Sequence, residues 1–267
     1  MKQATFRRLS EIVYDASGIA LTPAKQALLS ARTGKRVREL GLSSHEEYLR
    51  VLEQDESGEE LVHLLDAMST NVTSFFREPS HFDTVRLAVR EWLAEGRSRL
   101  RMWSAACSTG EEPYSLAMTL LEAAGARDID ARILASDINT QALDSARRGI
   151  YSTDQVANIP PGLRQRYAGR VGSKEEGLWQ IRQDLSHMIV FRRLNLAEPP
   201  FPLKGPLDVV LCRNVMIYFD RLVRSALMTE MHRLLRPGGL LLLGHAESSI
   251  GNATPFEIVR PSVFRRS

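Results

Sequence analysis

From Arg99 onward, short apolar runs alternate with helical stretches. The runs LRMWSA, ARILAS, LDVVLC and LLLLG are too continuously apolar to be strands with one wet face. Glu111 to Ala124, Asn139 to Arg148 and Asp220 to Leu235 read as the helices that separate or precede them. Strands buried on both faces and joined through helices build a parallel sheet covered on either side, so the fold class is α/β. Pro237-Gly238-Gly239 is expected to turn into the last of these runs, and FEIV and SVFRR to pair as an antiparallel closing edge. Residues about 155–193 break the alternation with Pro160-Pro161, Gly169, Gly172 and Gly177, followed by LWQIR and MIVFRR. They are expected to form a small antiparallel β-subdomain inserted between strands.

The first 70 residues have a different texture. Phe6, Leu9, Ile12, Val13 and Ala16 recur at helical spacing and stop at Gly18. Thr22-Pro23 reads as a cap with proline in the first turn, and Gly41 closes that helix. Ser43 with Glu46, and Ser57 with Glu60, read as capping boxes. Leu61, Leu64, Leu65 and Met68 make a last apolar stripe. The expected organisation is an all-helical N-terminal domain over 1–70, a linker and helix over 71–98, and the α/β domain over 99–267. The polar, then aromatic, then basic segment STNVTSFFR forms the break, and Phe82, Val85, Val89, Trp92 and Leu93 predict the helix after it.

Several function classes are excluded. The longest uninterrupted aliphatic run is Leu240 to Leu243, whereas a membrane-spanning helix needs about 20 apolar residues. Met1 to Leu9 lacks the apolar core of a secretory signal. Cys107 and Cys212 are the only cysteines, so no disulfide framework exists and a cytoplasmic location is expected, with both thiols as small core residues. Histidines and cysteines show no ligand spacing, so no metal is expected. A net charge of +3 is too mild for a dedicated nucleic-acid binder. Its distribution is uneven: residues 1–40 hold eight Lys and Arg against three acids, and residues 41–66 hold one against eight. Lys25, Arg32 and Arg36 fall within roughly 40° of one another on a helical wheel. They form a basic face that suits an acidic partner or simply water.

In doubly wound sheets, ligands bind at the carboxyl ends of the strands. WSAACSTGEEPYSLAM offers small residues there, which allow close approach of the backbone. It lacks a GxGxxG fingerprint, and Glu111 and Glu112 would repel a pyrophosphate. A cationic cofactor without phosphate fits better, and S-adenosylmethionine carries a sulfonium and an ammonium that one of these carboxylates could meet. Asp137 ends the next strand, placed either to hold ribose hydroxyls or to cap the following helix. Asn195-Leu196 is either an adenine flank or a turn, and Arg213-Asn214 puts two strong donors at the sheet edge. No Asn/Asp-Pro-Pro-aromatic motif is present, which argues against an exocyclic amine of a base as substrate.

Six ordered blocks, STNVTSFFREPSHF, WSAACSTGEEPYSLAM, LASDIN, LNL, CRNVMIYF and LLRPGGLLLLGHAES, resemble the CheR family of chemotaxis receptor methyltransferases over nearly the whole chain. The resemblance implies a Rossmann-like class I S-adenosylmethionine-dependent methyltransferase sheet with a small antiparallel β-subdomain, preceded by an all-helical domain. It implies methylation of receptor glutamates to methyl esters, with S-adenosylhomocysteine as product, for sensory adaptation in bacterial chemotaxis. By the same resemblance Asn71, Thr73 and Arg77 of the linker enter the cofactor pocket, Glu111 holds the methionine ammonium, and Asp137 holds the ribose. Asn195, Leu196, Arg213 and Asn214 complete the pocket, and Tyr218 lies on the substrate side in an orienting role. Lys25, Arg32 and Arg36 then have a target in the glutamate-rich methylation helices of chemoreceptors. The β-subdomain corresponds to one that docks on receptors. Its loop Ala168 to Gly177 leaves recognition of a receptor C-terminal tail open. Ala106 stands where the family more often has glycine. The implied location is cytoplasmic, at membrane receptor arrays through receptor binding, with no nucleic acid and no membrane insertion. Two alternatives stand beside this reading. One is a receptor-binding or signalling module of the same fold without turnover. The other is a methyltransferase for another substrate, such as RNA or a small molecule, against which the helical domain, the β-subdomain and the modest charge all argue.

Overall fold

A computed structural model describes residues 1–173, 175–251 and 255–267. Lys174, within the loop considered for tail recognition, and residues 252–254 of the α/β domain lie outside the described residues.

Four helices open the chain. The first, α1 (Gln3–Ser17), ends where Gly18 takes a left-handed conformation with φ 71° and its amide bonds the Tyr14 carbonyl. A short turn at Pro23–Lys25 leads into α2 (Gln26–Glu39), although the Thr22 side chain caps nothing. Next come α3 (His45–Gln54) and α4 (Glu59–Met68), and both capping boxes differ from the expected ones. Glu46 is drawn instead to Thr5 of α1 and the Lys2 amide just before it, so the cap of α3 moves on by one residue. The Ser44 hydroxyl there accepts from the Glu47 amide, and the Glu47 carboxylate accepts from the Ser43 amide at 2.8 Å. Glu60 is drawn to Arg36, and Asp55 accepts the Glu60 amide at 2.7 Å in place of Ser57. Phe6, Leu9, Val13, Leu29, Tyr48 and Leu64 form the centre of this domain.

Residues 69–78 have no regular structure, and α5 (Pro79–Ala94) follows, burying all five apolar residues expected on its inner face. The α/β part begins with β1 (Arg99–Ala105), α6 (Glu111–Ala124), β2 (Asp130–Asp137) and α7 (Thr140–Arg148). An excursion then runs through β3 (Ile150–Ser152), α8 (Thr153–Val156), α9 (Pro161–Tyr167), β4 (Ala168–Val171), β5 (Leu178–Ile181) and α10 (Gln183–Ser186). Its three strands make a small antiparallel sheet in the order β3-β5-β4. The chain returns through β6 (Ile189–Arg193), β7 (Leu207–Cys212), α11 (Arg221–Leu234), β8 (Leu235–Leu243), β9 (Phe256–Arg260) and β10 (Val263–Arg266).

The main sheet has the order β6-β2-β1-β7-β8-β10-β9. The first five strands are parallel, and β10 runs antiparallel between β8 and β9, as the closing edge was expected to. Two details depart from the sequence reading. MIVFRR belongs to the main sheet, where Ile189 to Arg193 pair in parallel with Ile133 to Asp137, because Ile189 and Phe191 bury in the main core. The small sheet takes Ile150–Ser152 as its edge instead. Pro237-Gly238-Gly239 lies within β8 rather than before it: Leu207 pairs Leu235 and Val209 pairs Leu240, so the three residues bulge out. Buried Asp208 pins that bulge, accepting from Arg236 Nε at 2.7 Å and from Arg97 at 2.6 Å.

Both faces of the sheet carry apolar clusters, with α5, α6 and α7 supplying one and α11 the other. Ala105 pairs with Ser136 on one side and Cys212 on the other, so the carboxyl ends of β2, β1 and β7 lie side by side. Connections leave β1 in one direction toward β2 and in the other toward β7 and β8. That divergence opens the crevice in which doubly wound sheets bind ligands.

Candidate functional site

The turn after β1 must reverse sharply over five residues. Ala106, Ser108 and Gly110 all have positive φ, at 62°, 50° and 98°. A Cβ at Gly110 would come within 2.8 Å of the Tyr151 hydroxyl oxygen, so only glycine lets the small sheet close against this turn. The turn lies across the end of β2: the Cys107 amide donates to the Ser136 carbonyl and the Ser108 amide to Asp137 Oδ2, both at 2.8 Å.

Asp137 is 7% exposed, and its Oδ1 accepts the Asn139 amide at 2.9 Å. Burial raises this carboxyl above the ordinary aspartate range, against the lowering effect of these backbone donors. Each oxygen keeps a further acceptor site, the pattern that two neighbouring hydroxyls would fill.

After β7 the chain enters a second tight turn. Asn214 has φ 58°, and its amide donates to Glu247 Oε2 at 2.7 Å. The Gly244 amide donates to the same oxygen at 2.8 Å and the Ile217 amide to Oε1 at 3.3 Å. Glu247 is fully buried, so one carboxylate ties the 213–218 loop to the turn after β8. Arg213, also buried, donates to Glu112 at 3.0 Å, to Glu78 at 3.1 Å and to the Arg77 carbonyl. Burial raises the Glu112 carboxyl, and the Arg213 guanidinium opposes that rise.

The N-terminal domain supplies the opposite wall. The Ala20 amide donates to the Tyr218 carbonyl at 3.1 Å, and Asn195 Nδ2 donates to the Ala16 carbonyl at 2.9 Å. Asp66 at the end of α4 accepts the Thr140 amide at 2.8 Å and its hydroxyl at 2.6 Å, capping α7 across the domain boundary.

Between these walls lies a cleft of about 750 Å³, counting the space at its open mouth. Of the residues predicted from sequence, Asn71, Arg77, Asp137, Asn195, Leu196, Arg213, Asn214 and Tyr218 line it together. Thr73 and Glu111 do not. Glu111 is buried under the β1 turn, where its carboxylate accepts from the Thr109 hydroxyl at 2.6 Å and from Gln155 at 3.2 Å. Burial pushes its carboxyl up. Two pocket residues are spent on protein partners: Arg213 in the ion pairs above, and Asn195 between Ala16 and Glu198.

The basic face is likewise divided. Arg32 donates to the Met68 and Ser69 carbonyls and to Thr70, and Arg36 pairs with Glu60 at 2.7 Å. Lys25 stands apart from them, with Nζ 5.9 Å from the centre of the Tyr218 ring. Sequence reasoning missed Ser17 and Ile19, which line the cleft from the end of α1 and just after it. No motif marks them, because their position depends on how two domains dock. It also missed Glu247, although that residue sits within the quoted GHAES stretch.

The lining fits S-adenosylmethionine. Among the described residues Asp137 is the only carboxylate in it. Of its two guanidinium groups, Arg213 is neutralised by Glu112 and Glu78 and Arg77 donates to the Val72 carbonyl, while Ile19, Ile138, Leu194, Leu196 and Phe219 give apolar surface for a flat base. Asp137 and Asn71 would hold polar groups of the cofactor, and the apolar residues its adenine. Both cysteines are buried in the core, and burial raises their thiols well above the usual range.

Comparison with known proteins gives the same picture. Residues 71–264 match the family model described as CheR methyltransferase, SAM binding domain, and residues 4–69 match CheR methyltransferase, all-alpha domain. The chain is 40% identical to the chemotaxis protein methyltransferase of Escherichia coli K12 over 93% of its own length and 85% of the relative's. It is 38% identical to that of Salmonella typhimurium, over 100% and 91%. It is 36% identical to that of Borreliella burgdorferi, over 97% and 93%.

Proposed function

This chain belongs to the CheR methyltransferase family, and on that premise we propose that it methylates glutamate side chains of chemoreceptors. The methyl donor is S-adenosylmethionine, the products are glutamate methyl esters and S-adenosylhomocysteine, and the output is sensory adaptation. The observation that carries this reading is the cleft at the ends of β1, β2 and β7. Its lining combines one carboxylate, Asp137, with the Tyr218 side chain and, among the described residues, no histidine, lysine or second carboxylate to act as a general base.

Bound there, the cofactor supplies an electrophilic methyl group on a positively charged sulfur. A glutamate carboxylate, with an ordinary pKa of about 4.3, is already ionised at neutral pH, so the chain need not remove a proton. Its residues have three tasks: to hold, to align and to exclude water. Positioning of this kind supplies about 7–11 kcal/mol at best. Asp137 accepts the ribose hydroxyls, and Asn71, Asn214 and the backbone of Leu196 frame the rest. In this reading Glu111 meets the methionine ammonium by turning from Gln155, and Thr73 and Arg77 act with it from the linker. Tyr218, whose hydroxyl has no hydrogen-bond partner among the described residues, orients the incoming carboxylate.

Lys25 beside the Tyr218 ring is the basic residue placed to meet a glutamate-rich helix. Arg32 and Arg36 act on the same face only indirectly, because their guanidinium groups already hold the linker and Glu60. Receptor docking uses the small sheet, whose strand β4 is, among the described residues, paired along one side alone. Among the described residues no helix is long and apolar enough to cross a membrane, and we place the protein at receptor arrays through receptor binding.

The test is transfer of labelled methyl from S-adenosylmethionine to receptor cytoplasmic fragments. Label that is released in alkali, and is lost when receptor glutamates become alanine, is the expected result. Alkali-stable label, or label on another substrate class, would replace this reading.

A further inference from the structure

Glu78 of the linker, His81 of α5 and His245 of the turn after β8 converge beside Arg213. Their ligand atoms all lie within 4.8 Å of one another. His81 Nδ1 is 3.2 Å from Glu78 Oε2, and His245 Nε2 is 3.9 Å from the same oxygen. Two ligands about 2.05 Å from a tetrahedral zinc ion stand about 3.3 Å apart. The spacing therefore suits a small divalent ion.

The tautomer of His81 sharpens the point. Its ring is 1% exposed, and Nε2 lies 2.7 Å from Ser262 Oγ. The Ser262 hydroxyl donates its only proton to the Pro261 carbonyl at 2.6 Å, so it accepts from His81, and the ring proton sits on Nε2. Nδ1 is then a bare lone pair. It is buried, has no hydrogen-bond partner among the described residues, and faces a carboxylate oxygen. Two acceptors held face to face, the histidine nitrogen fully buried, suit a cation between them. Arg213 does not serve: its Nη2 reaches Glu78 at 3.1 Å and the Arg77 carbonyl, but His81 Nδ1 remains unpartnered.

We propose that Glu78, His81 and His245 form a binding site for a divalent transition-metal ion of the zinc class. Ser262 fixes the orientation of His81 from behind, as an outer hydrogen bond does at histidine metal sites. The His245 ring is mostly exposed and gives the ion a way in, and water completes the coordination. Arg213 and Arg260 bring positive charge nearby, and Glu112 offsets the first of them. Along the chain only Glu78 and His81 stand close together, three residues apart, and the third ligand, His245, comes from a distant segment that folding alone brings beside them. A bound ion would tie the linker, α5 and the turn after β8 together.

The test uses the full-length chain stripped of metal and titrated with zinc by calorimetry, with thermal unfolding followed in parallel. Expected are one zinc per chain and a raised unfolding temperature. His245→Ala removes an exposed ring, keeps the backbone bond from residue 245 to Glu78, and should weaken zinc binding by at least tenfold and abolish the thermal shift. Absence of 1:1 binding in the wild type overturns the proposal. So does equal binding by His245→Ala, which would assign the zinc to other surface histidines.

Discussion

At the scale of single residues, Ala106 is strained where it stands. A left-handed alanine costs roughly 1–2 kcal/mol, while glycine adopts that conformation freely. Ala106→Gly should therefore raise unfolding stability by a few tenths to about 1 kcal/mol, after allowing for the greater freedom of glycine in the unfolded chain. Denaturant titration reads this, and cofactor affinity should not fall. Glu247 is the converse case, since its carboxylate serves three backbone amides at once. Leaving buried donors unmet costs about 1–3 kcal/mol each, so Glu247→Ala should be severely destabilised. Glu247→Gln keeps an acceptor and should stay folded, with kcat reduced about tenfold by a shifted Tyr218 loop and KM for cofactor changed less. Asp137 predicts a pH effect. Its ionised form is the one that accepts hydroxyl protons, and burial raises its pKa. Cofactor affinity should thus fall as the solution is acidified, starting above the ordinary aspartate value of about 3.9. Asp137→Asn should bind weakly at every pH and lose that dependence. Asp137, Arg213 and Asn214 were legible because each follows an apolar strand directly. Glu247 was not, because a glutamate inside GHAES reads from sequence as an exposed turn residue.

At the scale of elements, the strands and long helices were legible because apolar continuity and helical spacing survive docking. What failed were choices that another element decides. Glu46 and Glu60 were expected to cap their own helices, yet α1 and α2 claim them. The run MIVFRR looked like part of the small sheet and instead completes the main one, since both settings accept such a strand. The cap that α4 lends to α7 belongs to the same class, and it is testable. Asp66→Ala removes two hydrogen bonds from the first turn of α7. The loss expected for a cap is about 1–2 kcal/mol. Because α7 begins just beyond Asp137, cofactor affinity should fall together with stability, as paired calorimetric and denaturation measurements would show.

At the scale of the whole molecule, the cleft is a joint between two domains. Gly18 marks how closely they fit: a Cβ there would lie 2.7 Å from that of Ala197, and its φ of 71° suits glycine alone. Gly18→Ala should push the domains apart, lowering cofactor affinity while leaving the sheet folded, with titration of S-adenosylhomocysteine as the measurement. A change in texture near residue 70 marks the sequence, but it carries no sign of the docking, because the contacts join groups far apart in the chain, such as the Ala20 amide with the Tyr218 carbonyl and Asp66 with Thr140. Those contacts have a thermodynamic corollary. A ligand lodged between two folding units favours only the state in which both are intact, so its binding energy becomes cooperativity between them. Heated without cofactor, the helical domain and the sheet are free to melt at separate temperatures. Heated with it, they should melt as one.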